Sequence, residues 1–333
     1  MRCGFCRAGC PLFRETLSDG STARGKLQTL LALLEGEIPA SRRALLRLFE
    51  CTTCGACSEL CPAGVRFEEV LEAARRSFLR ELELPVHEWM VEATLSTGNP
   101  FAREFEASVR RGGTAFFPGC TSHFRVREIE SSCIRLLERY VKELSVLRMC
   151  CGAPLLYFGG EAEEFFERNM QLLEGFELIV AHCPTCTKVL REHYRVQVLH
   201  ISQALLELGT EPVAPALRAA YHDPCHLARG CGVVEEPREL LLRAGVELVE
   251  LEHSRRATDC CGAGGGLPVS FPELSARLAA RRQAEAVSLG AGALLTFCPT
   301  CYLHLSSTAG ESLRVLDASV LLAGGVHEVR REY

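Results

Sequence analysis

Early in the chain, apolar side chains recur at the three- and four-residue spacing of an amphipathic helix. The first stripe consists of Leu27, Leu30, Leu31 and Leu34. A second apolar run covers residues 45–49, and the stretch "EEVLEAARRSFLRELELP" continues the helical period as far as Pro85. The pattern predicts a small helical module over residues 1–85 and a helical linker over residues 86–112.

From residue 113 onwards, short β-prone runs alternate with amphipathic helical stretches. Such alternation predicts parallel α/β layers. The runs "TAFF", "ELIVAH", "LRAAY" and "ALLTF" each lead into cysteines, and the order of cysteine groups occurs twice. We therefore predict an α+β multidomain chain in which an internal duplication forms two α/β domains, at 113–212 and 213–333.

Composition narrows the class of protein. The 333 residues carry a formal net charge of −5 without a basic cluster, so we exclude nucleic acid as a partner. No apolar stretch reaches the length of about eighteen residues needed to span a bilayer, and no secretory signal pattern opens the sequence. Nineteen cysteines then favour metal ligation in a reducing compartment. We expect a cytoplasmic protein that reaches a membrane only through a partner subunit.

The stretch "CTTCGACSELCP" contains four cysteines with the spacing of bacterial ferredoxins, namely Cys51, Cys54, Cys57 and Cys61 before a proline. Three thiolates on one tight loop hold three irons of a cubane cluster, and the fourth completes a second cluster. A zinc site is the alternative, but zinc favours two pairs of ligands. The motif therefore predicts [4Fe-4S] clusters.

The opening "MRCGFCRAGCP" has the same pattern without its first cysteine. By crossed ligation, Cys10 completes the cluster held by the loop of residues 51–57. Cys61 then completes a cluster held by Cys3, Cys6 and a cysteine expected one residue before Met1. We expect an upstream start that supplies this residue. The alternative is that Met1 is the true start and that the first cluster has three iron atoms or an exogenous fourth ligand.

Each half of the duplicated region contains five cysteines in three groups, every group behind a predicted strand. They are Cys120, Cys150, Cys151, Cys183 and Cys186 in the first half, and Cys225, Cys260, Cys261, Cys298 and Cys301 in the second. Parallel sheets place such loops together at their carboxyl edge. Five thiolates exceed the four ligands of a zinc ion. Gly152 and Gly262 follow the paired cysteines and allow a sharp bend.

This order resembles the cysteine-rich CCG family, in which a cysteine, a Cys-Cys-Gly and a Cys-x-x-Cys occur twice. The family includes the B- and D-type subunits of heterodisulfide reductase, the iron–sulfur subunits of glycolate oxidase and anaerobic glycerol-3-phosphate dehydrogenase, and lactate-utilisation proteins. The resemblance covers essentially the whole chain. The stretch "CCGAGGG" is most similar to the D-type reductase branch.

The resemblance implies an unusual non-cubane four-iron cluster on the five cysteines, where a disulfide substrate is split. The second half has the gap lengths closer to the reductase pattern, so we assign the catalytic role to Cys225, Cys260, Cys261, Cys298 and Cys301. The first half holds either a second such cluster or zinc. The alternative function is a pure electron relay for a flavin-dependent glycolate, lactate or glycerol-3-phosphate dehydrogenase.

No dinucleotide, P-loop or haem motif is found, since "CGAGGG" lacks the G-x-G-x-x-G spacing. We therefore expect a partner, either a flavoprotein dehydrogenase or a membrane quinone or cytochrome subunit.

Cys133 is interpreted as a core residue and Cys231 as structural. His222 and His226 flank Cys225, and we expect them to fix a loop or donate to a cluster sulfur, with ligation as the alternative. Asp223 and Arg229 are weaker candidates for substrate contact.

Overall fold

The computed structural model describes residues 3–82, 84–310 and 313–324. Its N-terminal part is helical, and it carries both ferredoxin-type cysteine loops. Thr22 and Ser41 cap two of these helices, because each side-chain oxygen accepts a backbone N–H three residues on. The α-helices of this part are α1 Pro11–Thr16, α2 Ala23–Leu34, α3 Arg42–Phe49, α4 Ala56–Glu59, α5 Phe67–Leu82 and α6 Pro85–Thr97.

Only the first part of the predicted linker is helical. Helix α6 ends at Gly98, whose φ of 81° is the left-handed conformation typical of a helix C-terminus. The chain is irregular from there to residue 113. The prediction of a helical linker over 86–112 is therefore wrong for its second part.

Two four-stranded parallel sheets follow, and their strand orders are equivalent. The first sheet has the order β2-β1-β3-β4 and the second β6-β5-β7-β8. Central strands are apolar on both faces because helices cover both sides. The strands are β1 Thr114–Phe117, β2 Ser145–Val146, β3 Leu178–Ala181, β4 Val198–His200, β5 Leu217–Tyr221, β6 Val246–Val249, β7 Ala293–Thr296 and β8 Arg314–Asp317. The predicted duplication is visible in this shared topology.

Helices connect the strands of both sheets. The first half has α7 Gly119–Arg125, α8 Arg127–Glu138, α9 Ala153–Phe158, α10 Glu163–Leu173, α11 Pro184–Val189 and α12 Ile201–Glu207. The second half has α13 Glu236–Arg243, α14 Leu267–Ser270, α15 Pro272–Ser288, α16 Pro299–Thr308 and α17 Ala318–Leu322. Short π-helical turns cover Leu190–Tyr194 and His226–Gly230. Among the described helices, none is both long and apolar enough to cross a bilayer.

The two halves share one apolar core. Phe116 of β1, Leu295 of β7 and Ala318 of α17 belong to the same buried cluster. Cys133 lies fully buried in it and contacts the Ser319 hydroxyl at 3.4 Å, in agreement with a packing role. The two halves are therefore packed together in a fixed arrangement. The helical module followed by two parallel sheets confirms the α+β class predicted from the sequence.

Arg75 of α5 ties the helical module to both halves. It is fully buried, and its guanidinium donates to four backbone carbonyls. The acceptors are Leu48 and Cys51 in the module, Tyr157 in the first half and Gly265 in the second, at 2.8–3.0 Å. One side chain thus fixes three parts of the fold relative to one another.

Candidate functional site

The two ferredoxin-type loops have the same local backbone geometry. In both, a Cys-Gly-x-Cys stretch turns through a left-handed glycine, Gly4 with φ 84° and Gly55 with φ 74°. A side chain is strained in this conformation, whereas glycine is not. The shared turn supports the equivalence of Cys3 with Cys54 and of Cys6 with Cys57.

Cys10 lies beside the second ferredoxin-type loop, which covers residues 51–57. Together with Cys51, Cys54 and Cys57 it lines a small enclosed cavity. Burial raises the pKa of Cys54 to about 12 and raises that of Cys10 above the ordinary thiol range. Without metal these sulfurs carry protons, so metal binding must displace the protons. The arrangement is the one that crossed ligation requires.

The cysteines predicted to bind the other cubane cluster are more exposed to solvent. Cys3 is exposed, while Cys6 and Cys61 are half-buried. The turn Phe5–Arg7 that carries Cys6 packs against helix α4, which ends two residues before Cys61. The thiolate expected before Met1 lies outside the described residues.

The first five-cysteine set converges at the carboxyl edge of its sheet. The Sγ atoms of Cys120 and Cys150 are 3.7 Å apart, and the Gly152 N–H points at the Cys150 sulfur at 3.5 Å. Gly119 allows close approach, because a side chain there would be 3.0 Å from the Cys186 Sγ. The remaining members, Cys151 and Cys183, are buried beside them.

The second set repeats this geometry. The Sγ atoms are 4.0 Å apart between Cys225 and Cys260, and 3.4 Å apart between Cys261 and Cys301. The Gly262 N–H points at the Cys260 sulfur at 3.4 Å, as the Gly152 N–H points at Cys150 in the first half. Backbone amides aimed at sulfur stabilise its negative charge when metal is bound.

The Cys-Pro-Thr-Cys stretches begin helices in both halves. Cys183 and Cys298 occupy the N-cap positions of α11 and α16, each with proline at the first helical position. In α16 the Cys301 N–H donates to the Cys298 sulfur at 3.4 Å. The motif therefore places the sulfurs of Cys183 and Cys298 at equivalent positions, each at the start of a helix that follows a strand of its own sheet.

Both five-cysteine sets border one cavity of about 260 Å³. Apolar and aromatic side chains, including Phe101, Tyr157 and Phe158, form the rest of its wall, with Thr185 and Thr300 as polar groups. This meeting of the two halves was not predicted from the sequence. The lining cysteines are Cys120, Cys151, Cys183 and Cys186 from the first half and Cys225, Cys260, Cys261, Cys298 and Cys301 from the second.

The second set also touches the ferredoxin-type loop. Cys54 forms one buried cluster with Cys225 and Cys260. Arg229 lies at this contact, where it donates to the Cys54 carbonyl at 2.7 Å and to the Thr258 carbonyl at 2.8 Å. The arginine therefore fixes the loop and supplies a positive charge beside the sulfurs.

His226 joins all three parts of the fold beside the cavity. Its Nε2–H donates to the Thr53 carbonyl at 2.9 Å, and its Nδ1 accepts from the Thr185 hydroxyl at 2.8 Å. The expected role in fixing a loop is therefore supported. Asp223 is instead bound by Arg238, with both carboxylate oxygens at 2.7 Å, and it does not face the cavity.

Glycines of the "CCGAGGG" stretch pack against the ferredoxin-type loop. A side chain on Gly264 would overlap the Thr52 carbonyl oxygen, and one on Gly265 would overlap the Cys51 carbonyl oxygen. This contact was not predicted from the sequence. The role of Arg75 was not predicted either, because a single arginine among charged helical residues carries no signal.

The donor sets fit iron–sulfur groups. All nineteen cysteines are free thiols, and ten of them lie in two sets of five, in which the sulfurs of Cys120 and Cys150, of Cys225 and Cys260, and of Cys261 and Cys301 are 3.4–4.0 Å apart. Seventeen lie in the predicted motifs, while Cys133 and the half-buried Cys231 lie apart, the latter 3.8 Å from the Pro184 carbonyl. Thiolates with backbone N–H donors are the ordinary environment of such clusters.

Comparison with known proteins gives two family matches that cover both parts of the chain. A 4Fe-4S dicluster domain matches residues 1–65, and a cysteine-rich domain, CCG, matches residues 114–191 and 219–306. These ranges contain all seventeen cysteines of the predicted motifs.

Relatives match along most of the chain. The B polypeptide of the fumarate reductase (CoM/CoB) of Methanothermobacter marburgensis is 32% identical over 334 residues, which covers 92% of this chain and 67% of that protein. The D polypeptide of the dihydromethanophenazine:CoB–CoM heterodisulfide reductase of Methanosarcina barkeri is 26% identical, covering 92% of this chain and 87% of that one.

A Helicobacter pylori hypothetical protein of known structure shares the fold, with a TM-score of 0.61 at 11% identity, and the match covers 92% of this chain and 68% of that one.

Proposed function

Because the chain belongs to the family of iron–sulfur oxidoreductase subunits that join a 4Fe-4S dicluster domain to two cysteine-rich CCG domains, we propose that it delivers electrons to a disulfide bound between its two five-cysteine centres. The observation that carries this proposal is the shared cavity of about 260 Å³ with cysteines of both centres in its wall.

The N-terminal cysteines hold two cubane clusters in this proposal. Cys10 joins the loop of Cys51, Cys54 and Cys57, with which it shares a cavity. Cys61 joins Cys3 and Cys6, since helix α4, which ends two residues before Cys61, packs against the turn that carries Cys6. When bound, the iron–sulfur groups supply one-electron carriers at these positions and at the two centres.

The contact of Cys54 with Cys225 and Cys260 gives the route of electrons. The loop that carries Cys54 and the second centre, which is the five-cysteine set of the second half, meet in one buried cluster. Arg229 and His226 hold the two loops in register through the carbonyls of Cys54 and Thr53. Electrons that enter the helical module therefore reach the second centre directly, and the first centre across the cavity.

The cavity suits a disulfide of small thiols. Reduction breaks the S–S bond, takes up two electrons and two protons, and releases two thiols. Tyr157, Phe158 and Phe101 offer apolar contact to the substrate, while Thr185 and Thr300 offer hydrogen bonds. The second centre retains the catalytic role because electrons arrive there.

A partner subunit must supply the electrons. Both relatives named above are subunits of larger reductases. We propose a flavoprotein or a quinone-linked cytochrome subunit as the donor, with any membrane attachment residing in that partner. The first centre holds either a second iron–sulfur group or zinc on four of its five cysteines.

The test uses anaerobically purified protein with its iron and zinc measured. We expect 2-mercaptoethanol and hydroxyethyl disulfide to change the EPR spectrum of the second centre, and a low-potential chemical reductant to support turnover of the disulfide. Cys260→Ser or Cys298→Ser should abolish both effects and leave the cubane signals. Cys231→Ser, which removes a thiol outside the set, should retain them.

The opposite result favours the relay function. Spectra that do not respond to either probe, together with intact electron transfer to an artificial acceptor, would refute disulfide reduction. The protein would then pass electrons between a flavin-dependent dehydrogenase and an acceptor without binding a substrate of its own.

A further inference from the structure

His222 is a buried histidine whose ring has no partner. It directly follows strand β5, its relative exposure is 0%, and neither ring nitrogen has a hydrogen-bond partner among the described residues. Buried polar groups without a partner are costly, so most of them have one.

The ring points at two sulfurs of the second centre. A ring nitrogen of His222 and the Sγ atoms of Cys261 and Cys301 all lie within 4.8 Å of one another. Metal–nitrogen and metal–sulfur bonds of about 2.1 and 2.3 Å place such ligand atoms at similar separations. The cavity is lined by Cys261 and Cys301 but not by His222. The nitrogen therefore approaches the centre from the side away from the cavity.

At the matching position the first centre has a phenylalanine instead of a histidine. Phe117 stands three residues before Cys120, as His222 stands three residues before Cys225. The Phe117 ring and the Cys186 sulfur both lie within 4 Å of the position that a side chain on Gly119 would take. A phenylalanine thus occupies the place beside Cys186 that the imidazole occupies beside Cys301.

From this difference we infer that the second centre has a mixed nitrogen and sulfur ligand set, in which His222 binds metal together with Cys261 and Cys301. The first centre is bound by thiolates alone. The inference rests on the proposed function, since it takes the second centre to hold iron. Histidine ligands raise the reduction potential of an iron–sulfur centre relative to cysteine ligands, because imidazole is neutral and a thiolate is anionic. Electrons that arrive from the Cys54 loop are then retained at the second centre.

The test is pulsed EPR on the holoprotein, prepared with natural and with 15N-labelled histidine. We expect a strong nitrogen coupling in the paramagnetic state of the second centre, and we expect it to change with the isotope. A weak coupling, as from a hydrogen bond, or no histidine coupling would overturn the inference. Iron at the centre without histidine coupling refutes the inference alone, whereas a centre without iron refutes the proposed function as well.

Paired variants exploit the difference between the halves. His222→Phe should abolish the coupling and leave the cubane signals, and Phe117→His should create a second histidine coupling at the first centre when that centre holds iron. His222→Cys should shift the midpoint potential of the second centre downwards.

His304→Gln is the matched control, because His304 lies near Gly262 but bonds Ser275, and it should leave the coupling in place. Retention of the coupling in His222→Phe would contradict the inference.

Discussion

Cys10 shows how much a single residue can decide in this chain. It precedes the proline that begins α1, forty-one positions before Cys51, yet both line one cavity with Cys54 and Cys57. Its sulfur contacts the Ser21 carbonyl at 3.8 Å, and burial raises its pKa. Metal binding explains why this thiol is buried in one cavity with three other cysteines.

We predict that Cys10→Ser removes the same cubane EPR signal as Cys54→Ser, because both sulfurs face the same cavity. Anaerobic EPR of the reduced protein measures this. Cys231→Ser serves as the control, since that sulfur contacts the Pro184 carbonyl and lies outside the cysteine motifs, and it should retain full iron content. Loss in Cys10→Ser of the signal that Cys6→Ser removes would disprove crossed ligation.

At the scale of elements, the contact between the "GAGGG" loop and the ferredoxin-type loop decides how the module docks. Their backbones approach so closely that the glycines admit no side chain. Helix α6 adds a second contact, in which His87 Nε2 bonds the Ser270 hydroxyl at 2.7 Å and the ring lies between Phe49 and Phe158. Both contacts join segments that are distant in sequence.

Gly264→Ala should weaken this docking, because the added methyl group overlaps the Thr52 carbonyl oxygen. The expected loss is about 1–3 kcal/mol of unfolding free energy, as for other overpacked sites, with slower electron transfer from the cubane clusters to the second centre. Thermal unfolding and stopped-flow spectroscopy measure the two effects. Gly310→Ala has open space around it and should be neutral. Equal stability of both variants would contradict the packing argument.

His87 should make the protein sensitive to mild acid. Burial lowers its pKa from 6.5 to about 4, so below pH 6.5 the unfolded chain takes up a proton that the folded chain refuses. The free energy of unfolding therefore falls as pH drops from 6.5 towards 4, by about 2 kcal/mol at pH 5 from this group.

Urea unfolding of the wild type and of His87→Gln at pH 7.5 and pH 5 tests this effect. Glutamine keeps a partner for Ser270 but does not titrate, so the variant should lose less stability between the two pH values. Identical losses in the two proteins would show that His87 is not the cause.

At the scale of the whole molecule, three parts converge on one chamber. The halves share a core, and the module is fixed to both of them through Arg75. Both five-cysteine centres open into the cavity, while the electron-delivering loop contacts the second centre. The proposed chemistry requires this assembly, since neither half alone encloses the cavity.

Arg75→Met should loosen the assembly. It leaves four buried carbonyl oxygens without their donor, and we expect a loss of about 3 kcal/mol or more in the free energy of unfolding. Differential scanning calorimetry should show separated transitions for module and halves. The neighbouring Arg76 pairs with the exposed Glu161 and Glu163, so Arg76→Met should cost less than about 0.5 kcal/mol. A similar effect of both variants would refute the special role of Arg75.

The cysteine spacing, the duplication and the family could be derived from the sequence, and the comparisons confirm the family and the fold class. This succeeded because ligand spacing is local: a Cys-Gly-x-Cys turn or a Cys-Pro-Thr-Cys helix start depends on neighbouring residues. The assignment of individual cysteines to clusters stays a prediction, although the grouping of Cys10 with the 51–57 loop supports it.

The common cavity, the contact of Cys54 with Cys225 and the junction at Arg75 were decided only by the tertiary structure. Backbone carbonyls accept Arg75, and every residue has a carbonyl, so no residue type marks the contact in the sequence. Likewise, His222 and Phe117 occupy matching positions, but their difference has meaning only once the sulfurs of Cys301 and Cys186 lie beside them. Spacing along the chain encodes each loop, whereas packing between distant segments determines what the loops face.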